Sequence, residues 1–142
     1  MYLALKEAKK AECLAEVPIG AIIVQDKKVI ASGYNLREKT RDATTHAEMT
    51  AIRSANKVLD NWRIENAAIF ITVEPCAMCS GALLLSRISK IYFGAYNAKG
   101  GSAGTVIDLF NISVFNHTAY VEGGILEKEC AKLMSNFFYK KR

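Results

Sequence analysis

The apolar and polar positions of this chain follow two periodicities, one typical of helices and one typical of strands. Apolar residues recur at helical spacing over residues 1–15, 46–59 and 125–142. Short runs rich in β-branched and apolar residues separate these segments and predict strands. The predicted strands span residues 21–25, 28–33, 67–73, 90–95 and 119–122. Because strands alternate with helices, the pattern predicts an α/β fold.

Polar or glycine-rich segments connect these elements. Residues 35–45 lack an apolar pattern and residues 96–104 contain three glycines, so both are predicted to be loops. Pro75 is predicted to open one more helix, because its missing N–H costs little at a first helical position. Residues 105–110 fit either a short helix or a strand. With 142 residues and neither repeat nor linker, the sequence predicts a single domain over residues 1–142.

The composition narrows the class of protein. Hydrophobic residues make up 51% of the chain and charged residues 23%, which excludes disordered and collagen-like proteins. The net charge of +5 is compatible with anionic partners, although on its own it says little about function. No apolar run approaches the ~20 residues of a membrane span, and residues 1–15 lack the apolar core of a signal peptide. We therefore expect a cytoplasmic protein with no membrane partner.

The four cysteines are unevenly spaced. Cys76 and Cys79 lie three residues apart, whereas Cys13 and Cys130 stand alone. In a reducing cytoplasm a Cys-x-x-Cys pair binds metal or performs redox chemistry more often than it forms a structural disulfide. The two isolated cysteines fall on predicted helix faces, where we expect them to pack as small hydrophobic core residues. A redox pair and a closed site of four cysteines stay open as alternatives.

A second segment with metal-ligating residue types contains His46 and Glu48. Zinc prefers tetrahedral nitrogen and sulfur ligands, and His46, Cys76 and Cys79 would supply three of the four. The fourth position would then be open to water, as in catalytic rather than structural zinc sites. The alternatives are structural: His46 as a hydrogen-bonded residue, and Glu48 as half of a Thr-x-x-Glu capping box with Thr45.

The combined pattern is His-x-Glu, then twenty-six residues, then Pro-Cys-x-x-Cys, which is the signature of zinc-dependent nucleobase deaminases. Beyond this motif, the chain resembles the bacterial tRNA-specific adenosine deaminases over nearly its whole length. The resemblance implies a three-layer αβα sandwich around a five-stranded mixed sheet, and a homodimer. The stretches that carry it include Val17-Pro18-Ile19-Gly20-Ala21, Gly33-Tyr34-Asn35, Thr45-His46-Ala47-Glu48, Thr72-Val73-Glu74-Pro75-Cys76, Gly101-Ser102-Ala103-Gly104 and Glu122-Gly123-Gly124-Ile125-Leu126.

The resemblance also implies an activity, the hydrolytic deamination of adenosine to inosine at the wobble position of a tRNA anticodon stem-loop. By motif, His46, Cys76 and Cys79 bind one Zn²⁺ per chain, and Glu48 shuttles protons. Zinc-bound hydroxide attacks carbon 6 of adenine, while Glu48 protonates ring nitrogen 1 and then the departing ammonia. The residues implied to contact the substrate are Asn35, Ala47, Asn97 and Lys99.

The distribution of charge indicates where an RNA would bind. No acidic residue occurs between residues 75 and 107, and basic residues there and in the 35–45 segment can attract phosphates. Phe137 and Phe138 lie beside a third basic cluster at the C terminus, but their helical spacing predicts core positions. The basic residues concerned are Arg37, Lys39, Arg41, Arg87, Lys90, Lys99, Lys140, Lys141 and Arg142.

One loop residue departs from the family pattern. Where the family usually has Asp-(Ala/Pro)-Lys, this chain has Asn97-Ala98-Lys99. In the family, that aspartate lies against the RNA near the ribose 2′-hydroxyl, the group that distinguishes RNA from DNA. Asparagine is nearly isosteric with aspartate, but it is neutral and can donate as well as accept hydrogen bonds. We therefore hypothesise that this chain tolerates a DNA loop better than its Asn97→Asp variant does.

Three other functions share parts of this pattern. A zinc deaminase that acts on free cytidine, deoxycytidylate or guanine would carry the same metal motif, but the basic loops and the C-terminal resemblance argue against it. A non-catalytic RNA-binding subunit would have lost the carboxylate of Glu48, which is present here. A purely structural zinc protein would require four protein ligands.

Overall fold

A five-stranded mixed sheet lies at the centre of the structure, a computed structural model that describes residues 1–141. The strands are β1 (Gly20–Gln25), β2 (Lys28–Tyr34), β3 (Ala67–Val73), β4 (Lys90–Ala95) and β5 (Tyr120–Glu122). They lie in the order β2-β1-β3-β4-β5, with β1 antiparallel to β2 and β3, and with β3, β4 and β5 parallel. The predicted α/β class and five-stranded mixed sheet are confirmed, and each strand end lies within one residue of its predicted position.

A two-residue turn closes the hairpin between β1 and β2. Asp26 and Lys27 both have positive φ, at 50° and 61°, which is the turn geometry that fits the right-handed twist of paired strands. The hairpin returns the end of β2 to the start of β1, where the Asn35 N–H donates to the carbonyl of Ile19 at 3.0 Å. The predicted substrate residue Asn35 is thereby placed at one end of the sheet.

Helices cover both faces of this sheet. An added Cβ on Gly20 would overlap the backbone of the first helix, and one on Gly33 would overlap the backbone of the third. Ala21 pairs with Gly33 and points away from Gly20, so these two helices pack on opposite faces. The resulting three layers confirm the predicted αβα sandwich. The helices are α1 (Tyr2–Cys13), α2 (Arg37–Thr40), α3 (Ala47–Leu59), α4 (Ala77–Leu85) and α5 (Glu127–Lys140).

The main hydrophobic core lies between the sheet and the pair α3 and α4. Ile69, Ile71 and Phe93 of the two central strands pack there with Leu83 of α4. On the other face α5 approaches the sheet closely, because an added Cβ on Gly94 would overlap a side chain of that helix. The last three residues of each central strand are therefore buried on both faces of the sheet, and Glu74 and the predicted ligand Cys76 follow directly after β3. None of the helices within residues 1–141 has the length and apolar character needed to cross a membrane.

Three connections differ from the sequence prediction. Helix α4 begins at Ala77 rather than at Pro75, because Cys76 is its N-cap and has extended backbone (φ −79°, ψ 171°). The 35–45 segment, predicted to be a loop throughout, contains the single helical turn of α2. The ambiguous 105–110 segment leads into a 3-10 turn at Leu109–Asn111, where the Asp108 side chain accepts from the Phe110 N–H.

Two residues predicted to be core lie at the surface. The buried positions of α1 include Ala8 and Ala11, and Cys13 is exposed because two residues further along a helix turn the side chain by about 200°. On α5, Phe137 is buried as predicted, whereas its neighbour Phe138 is 47% exposed. The core prediction is confirmed for Cys130 and Phe137 and wrong for Cys13 and Phe138.

Candidate metal centre and active site

The three predicted metal ligands lie at the N-termini of α3 and α4. His46 is the N-cap of α3 and Cys76 is the N-cap of α4, both with extended backbone. Cys79 lies in the first turn of α4 and is fully buried. The candidate ligand atoms of the three side chains all lie within 4.8 Å of one another. Two helix starts on one face of the sheet thus bring together residues that are 30 and 33 positions apart.

The distances between the donor atoms fit a zinc ion. His46 Nδ1 lies 3.7 Å from Cys76 Sγ and 3.6 Å from Cys79 Sγ. A tetrahedral zinc ion, with bonds of about 2.1 Å to nitrogen and about 2.3 Å to sulfur, separates its ligand atoms by about 3.6–3.8 Å. Within residues 1–141 this is the only group of three or more such side chains, so Cys13 and Cys130 do not complete a site of four cysteines. The donor set fits zinc with one position left for water.

The electrostatics of the cluster also favour a cation. Hydrogen bonds from Cys79 and His46 lower the pKa of Cys76 to about 4, whereas the hydrogen bond with Cys76 and burial raise the pKa of Cys79. The hydrogen bond to Cys76 raises the pKa of His46. Protein groups alone therefore stabilise one thiolate, and a second thiolate requires a positive charge such as that of zinc. The N-termini of two helices add further positive potential at this point.

Glu48 lies in the first turn of α3, beside the metal ligands, and is 4% exposed. Burial is the largest influence on its carboxyl and raises the pKa, while His46 and Cys79 act in the opposite direction. The capping-box interpretation with Thr45 is wrong, because the N-cap is His46 and no side chain caps α3. A buried carboxyl with a raised pKa next to a metal site is suited to proton transfer.

The side chain of Asn35 is held by the protein itself. Its Nδ2 donates to Glu16 Oε2 and to the carbonyl of Val17, both at 3.3 Å, and its Oδ1 accepts from the Arg37 N–H at 3.4 Å. Glu16 is 1% exposed and also accepts from the backbone N–H groups of Glu38 and Lys39, at 3.2 and 2.6 Å. One buried carboxylate therefore fixes both Asn35 and the first turn of the 35–45 loop.

A second buried carboxylate fixes the loop that contains Asn97. Glu74 accepts hydrogen bonds from the backbone N–H groups of Asn97, Ala103 and Thr105 at 3.0–3.1 Å. Burial alone would raise the pKa of Glu74, but these hydrogen bonds hold it below its usual value. Asn97 Oδ1 in turn accepts from the N–H groups of Lys99 and Gly100 at 3.2 and 3.1 Å. We call residues 96–105 the 96–105 loop.

Two further residues were predicted to contact the substrate. The side chain of Ala47 is fully buried at the start of α3, so the group it can offer to a ligand is its backbone N–H. Lys99 is exposed, and it lines a groove of about 400 Å³ between the 96–105 loop and α5. Of these two predicted substrate residues, Ala47 can thus offer a backbone donor and Lys99 an exposed cation.

Lys140 and Lys141 of the predicted C-terminal cluster are exposed, and each also contacts a residue at or just after the end of α1. Lys140 lies 3.5 Å from Glu12 Oε1, and Lys141 donates to the carbonyl of Ala15, so both tie α5 to α1. Arg142, predicted to belong to the same cluster, lies outside the described residues. The exposed basic residues on the two loops beside the metal ligands are Arg37, Lys39, Arg41 and Lys99.

Glu16 and Glu74 hold the two loops beside the candidate metal ligands, and sequence reasoning missed both. Neither falls in a periodic pattern, and each makes its contacts with a loop more than 18 positions away. The only local signal was at Glu74, which directly precedes the Pro-Cys-x-x-Cys motif. A single acidic residue next to a motif does not indicate which backbone groups it will bind.

Comparison with known proteins agrees with the geometry, which indicates a zinc-binding site. Residues 1–95, which include all three candidate metal ligands and Glu48, match the family described as the cytidine and deoxycytidylate deaminase zinc-binding region. The whole chain is 49% identical to the tRNA-specific adenosine deaminase of Bacillus subtilis and covers 88% of it.

Solved structures add two comparisons. One, from a study of A-to-I editing by tRNA:A34 deaminases at the wobble position of transfer RNA, superposes with a TM-score of 0.90 at 39% identity. That match covers 94% of this chain and 96% of the other. A guanine deaminase from Nitrosomonas europaea shares the fold at a TM-score of 0.81 but only 20% identity, with 96% and 81% of the two chains covered. This chain is therefore a member of the tRNA-specific adenosine deaminases, within the zinc-binding cytidine and deoxycytidylate deaminase family.

Proposed function

We propose that this protein converts adenosine to inosine at the wobble position of a tRNA anticodon loop by hydrolytic deamination. The observation that carries the proposal is the position of Glu48, buried in the first turn of α3 beside His46, Cys76 and Cys79. Full-length similarity to tRNA-specific adenosine deaminases supports the choice of substrate.

In this reaction His46, Cys76 and Cys79 would hold the zinc ion. Zinc supplies Lewis-acid chemistry that lowers the pKa of a water molecule, so that water becomes a nucleophile near neutral pH. Glu48 accepts the proton of that water and delivers it to ring nitrogen 1 of adenine, which makes carbon 6 more electrophilic. After the carbon–oxygen bond forms, Glu48 takes the remaining proton of the added hydroxyl and delivers it to the amino group. The carbon–nitrogen bond then breaks, ammonia leaves, and carbon 6 becomes a carbonyl.

Four residues are proposed to place the target nucleotide. Asn35 has both N–H groups engaged within the protein, so it can offer the second lone pair of Oδ1 to the substrate. Ala47 offers its backbone N–H at the start of α3, and Asn97 offers its Nδ2 group. Exposed Lys99 is positioned to attract a phosphate. A nucleotide in an anticodon loop is already unpaired, so its extrusion toward these groups is inexpensive.

The decisive experiment is deamination of a synthetic anticodon stem-loop with adenosine at the wobble position. We expect zinc-loaded protein to form inosine, and we expect Glu48→Ala to retain zinc while losing turnover. Free guanine, cytidine and deoxycytidylate serve as parallel substrates. Turnover of one of these without inosine formation in the stem-loop would assign the chain to another deaminase reaction, and an active Glu48→Ala enzyme would contradict the proton-transfer role.

The proposed substrate also indicates the cellular compartment and the binding partner of the protein. We propose that it acts in the cytoplasm on tRNA, as expected for a bacterial enzyme that modifies tRNA. Exposed cations on the two loops beside the metal ligands support binding of the anionic RNA backbone. Deamination rates that fall steeply with added salt would support this, and salt-independent rates would contradict it.

We further propose that the protein is a homodimer, with an apolar surface beside α4 as its interface. Leu85 is 70% exposed and Val114 is 86% exposed. Leu85 and Phe115, the residue after Val114, both line a cavity of about 260 Å³, and exposed apolar patches of this kind mark interaction surfaces. Sedimentation of wild-type protein should give twice the chain mass, and Leu85→Glu should shift it to monomer. A wild-type monomer would contradict the proposal.

A further inference from the structure

Glu74 connects the metal-binding segment to the 96–105 loop. It follows β3 and lies two residues before the ligand Cys76, and it is 2% exposed. Its Oε2 accepts from the Asn97 N–H at 3.0 Å. Its Oε1 accepts from the N–H groups of Ala103 and Thr105 at 3.0 and 3.1 Å. Backbone groups from both arms of one loop therefore converge on a single carboxylate.

Among residues 1–141, no cationic side chain forms an ion pair with this carboxylate. The ion pairs found within residues 1–141 are Lys10–Glu7, Arg37–Glu38 and Lys140–Glu12. A buried charge without a counter-charge is costly unless strong hydrogen bonds replace its hydration, and bonds to an ionised acceptor are about twice as strong as neutral ones. The three backbone hydrogen bonds therefore do two things at once: they stabilise the buried Glu74 carboxylate and they hold the 96–105 loop in this conformation.

A second set of contacts docks the same loop on the metal-binding segment. The Ser102 hydroxyl donates to the carbonyl of Pro75 at 3.0 Å, so the Ser80 hydroxyl must donate to Ser102 across their 2.7 Å contact. The Ser102 N–H also donates to the Pro75 carbonyl at 2.9 Å. Ser80 and Ser102 are both buried, and Ser80 directly follows Cys79. The loop therefore rests on residues that flank the metal ligands.

The fit around Glu74 depends on a glycine. An added Cβ on Gly101 would overlap the Glu74 carboxylate and would crowd the carbonyl of Asn97. Gly101 also forms a backbone bridge with Cys76. Its neighbour Gly100 has room for a Cβ, since the nearest atom lies at 3.7 Å. The close approach of loop and carboxylate is therefore specific to position 101.

From these contacts we propose that Glu74 is a positioning residue for the substrate. It sets the place of Asn97 and Lys99 relative to the metal ligands, and it does so through the backbone of the 96–105 loop. The proposal rests on the function proposed above, because the group to be positioned against the loop is a tRNA nucleotide. Since Glu74 itself does not touch the reacting atoms, its loss should weaken substrate binding more than it slows the chemical step.

The first test replaces Glu74 by glutamine, which keeps the size of the side chain but turns one acceptor oxygen into a donor. We expect KM for the anticodon stem-loop to rise about tenfold, the effect of weakening one charge-assisted hydrogen bond. We expect kcat to stay within about threefold and the zinc content to be unchanged. Glu65→Gln is the matched control, because Glu65 is exposed and lies just before the same strand. Its KM should equal that of the wild type.

The second test approaches the same contact from the loop. Gly101→Ala should raise KM in the same way, whereas Gly100→Ala should leave it unchanged. In Glu74→Gln and Gly101→Ala, the amide protons of Asn97, Ala103 and Thr105 should exchange with solvent faster than in the wild type. Exchange in the α3 core should stay unchanged, which separates loss of loop positioning from general destabilisation.

Two results would overturn the proposal. One is an unchanged KM in both Glu74→Gln and Gly101→Ala. The other is a loss of zinc and of kcat with KM unchanged, which would mean that Glu74 acts through Cys76 rather than through the loop. If wild-type protein forms no inosine in the stem-loop, the proposed function fails instead. In that case binding of the stem-loop, followed by fluorescence anisotropy, and exchange of the loop amides still decide whether Glu74 positions the loop.

Discussion

The metal ligands and the two loops around them are held in place by different kinds of structure. His46, Cys76 and Cys79 project from the first residues of two helices that pack on the central sheet. The loops instead depend on two buried carboxylates, Glu16 and Glu74, each of which binds backbone groups of one loop. The candidate metal ligands are thus built into the core, while the loops that we propose to place the substrate are held by a few long-range hydrogen bonds.

This difference has a functional consequence. Moving a helix start would disturb the packing of an entire layer, so the metal geometry is protected by the fold. Moving a loop disturbs a small number of hydrogen bonds, among them those to its carboxylate, so the substrate contacts can change while the metal site persists. Changes in the first region should therefore remove turnover, and changes in the second should alter KM and the choice of substrate.

The largest effect is expected from a metal ligand. Cys79→Ser replaces a thiolate by a weaker hydroxyl ligand in a fully buried position, so zinc binding should be lost. Deamination of the anticodon stem-loop should fall on the order of 10³-fold or more, because water is no longer activated. Elemental analysis and an inosine assay measure the two quantities. Full zinc content with normal turnover would show that Cys79 is not a ligand, and Cys13→Ser is the matched control because Cys13 is exposed.

An intermediate effect is expected from the carboxylate of the other loop. Glu16→Gln weakens the hydrogen bonds to Glu38, Lys39 and Asn35, which hold the 35–45 loop. We expect about a tenfold increase in KM for the stem-loop with zinc retained. Steady-state kinetics together with zinc analysis check this result. A loss of zinc with KM unchanged would contradict the distinction between helix starts that hold the metal and loops that place the substrate.

A smaller effect concerns the choice between RNA and DNA. Asn97 Oδ1 accepts from two backbone N–H groups, and an aspartate could accept both bonds equally well, so Asn97→Asp should preserve the loop. The variant loses the Nδ2 donor and gains a negative charge beside the nucleic-acid backbone. We expect the ratio of DNA to RNA deamination to fall by a few-fold in the variant. Equal ratios for the two proteins, measured with matched DNA and RNA loops, would refute the hypothesis.

The sequence was a good guide to the core and a poor guide to the loops, for physical reasons. Strand β3 and the ligands Cys76 and Cys79 follow from local patterns, because apolar runs and ligand spacing act over a few residues. The roles of Glu16 and Glu74 depend on contacts with loops 19–31 positions away, which leave no local periodicity. Helical spacing in fact accounts for the exposure of Cys13, which lies two positions after the buried Ala11 and therefore points away from the sheet. The prediction was wrong because it placed Cys13 on the core side without applying that spacing.

The smallest effect is expected from an exposed cation at the rim of the site. Lys99 is exposed and has no ion-pair partner among the described residues, so its loss should leave both the metal ligands and the fold intact. If Lys99 meets one phosphate, Lys99→Ala should reduce the slope of log kcat/KM against log salt by about 0.7–0.9. Lys28→Ala is the control. Lys28 is exposed at the turn of the β1–β2 hairpin, the end opposite Asn35, so the slope should stay unchanged. An unchanged slope for Lys99→Ala, or an equal change for both variants, would contradict a contact between Lys99 and a phosphate. The 96–105 loop would then position the nucleotide without binding its phosphate.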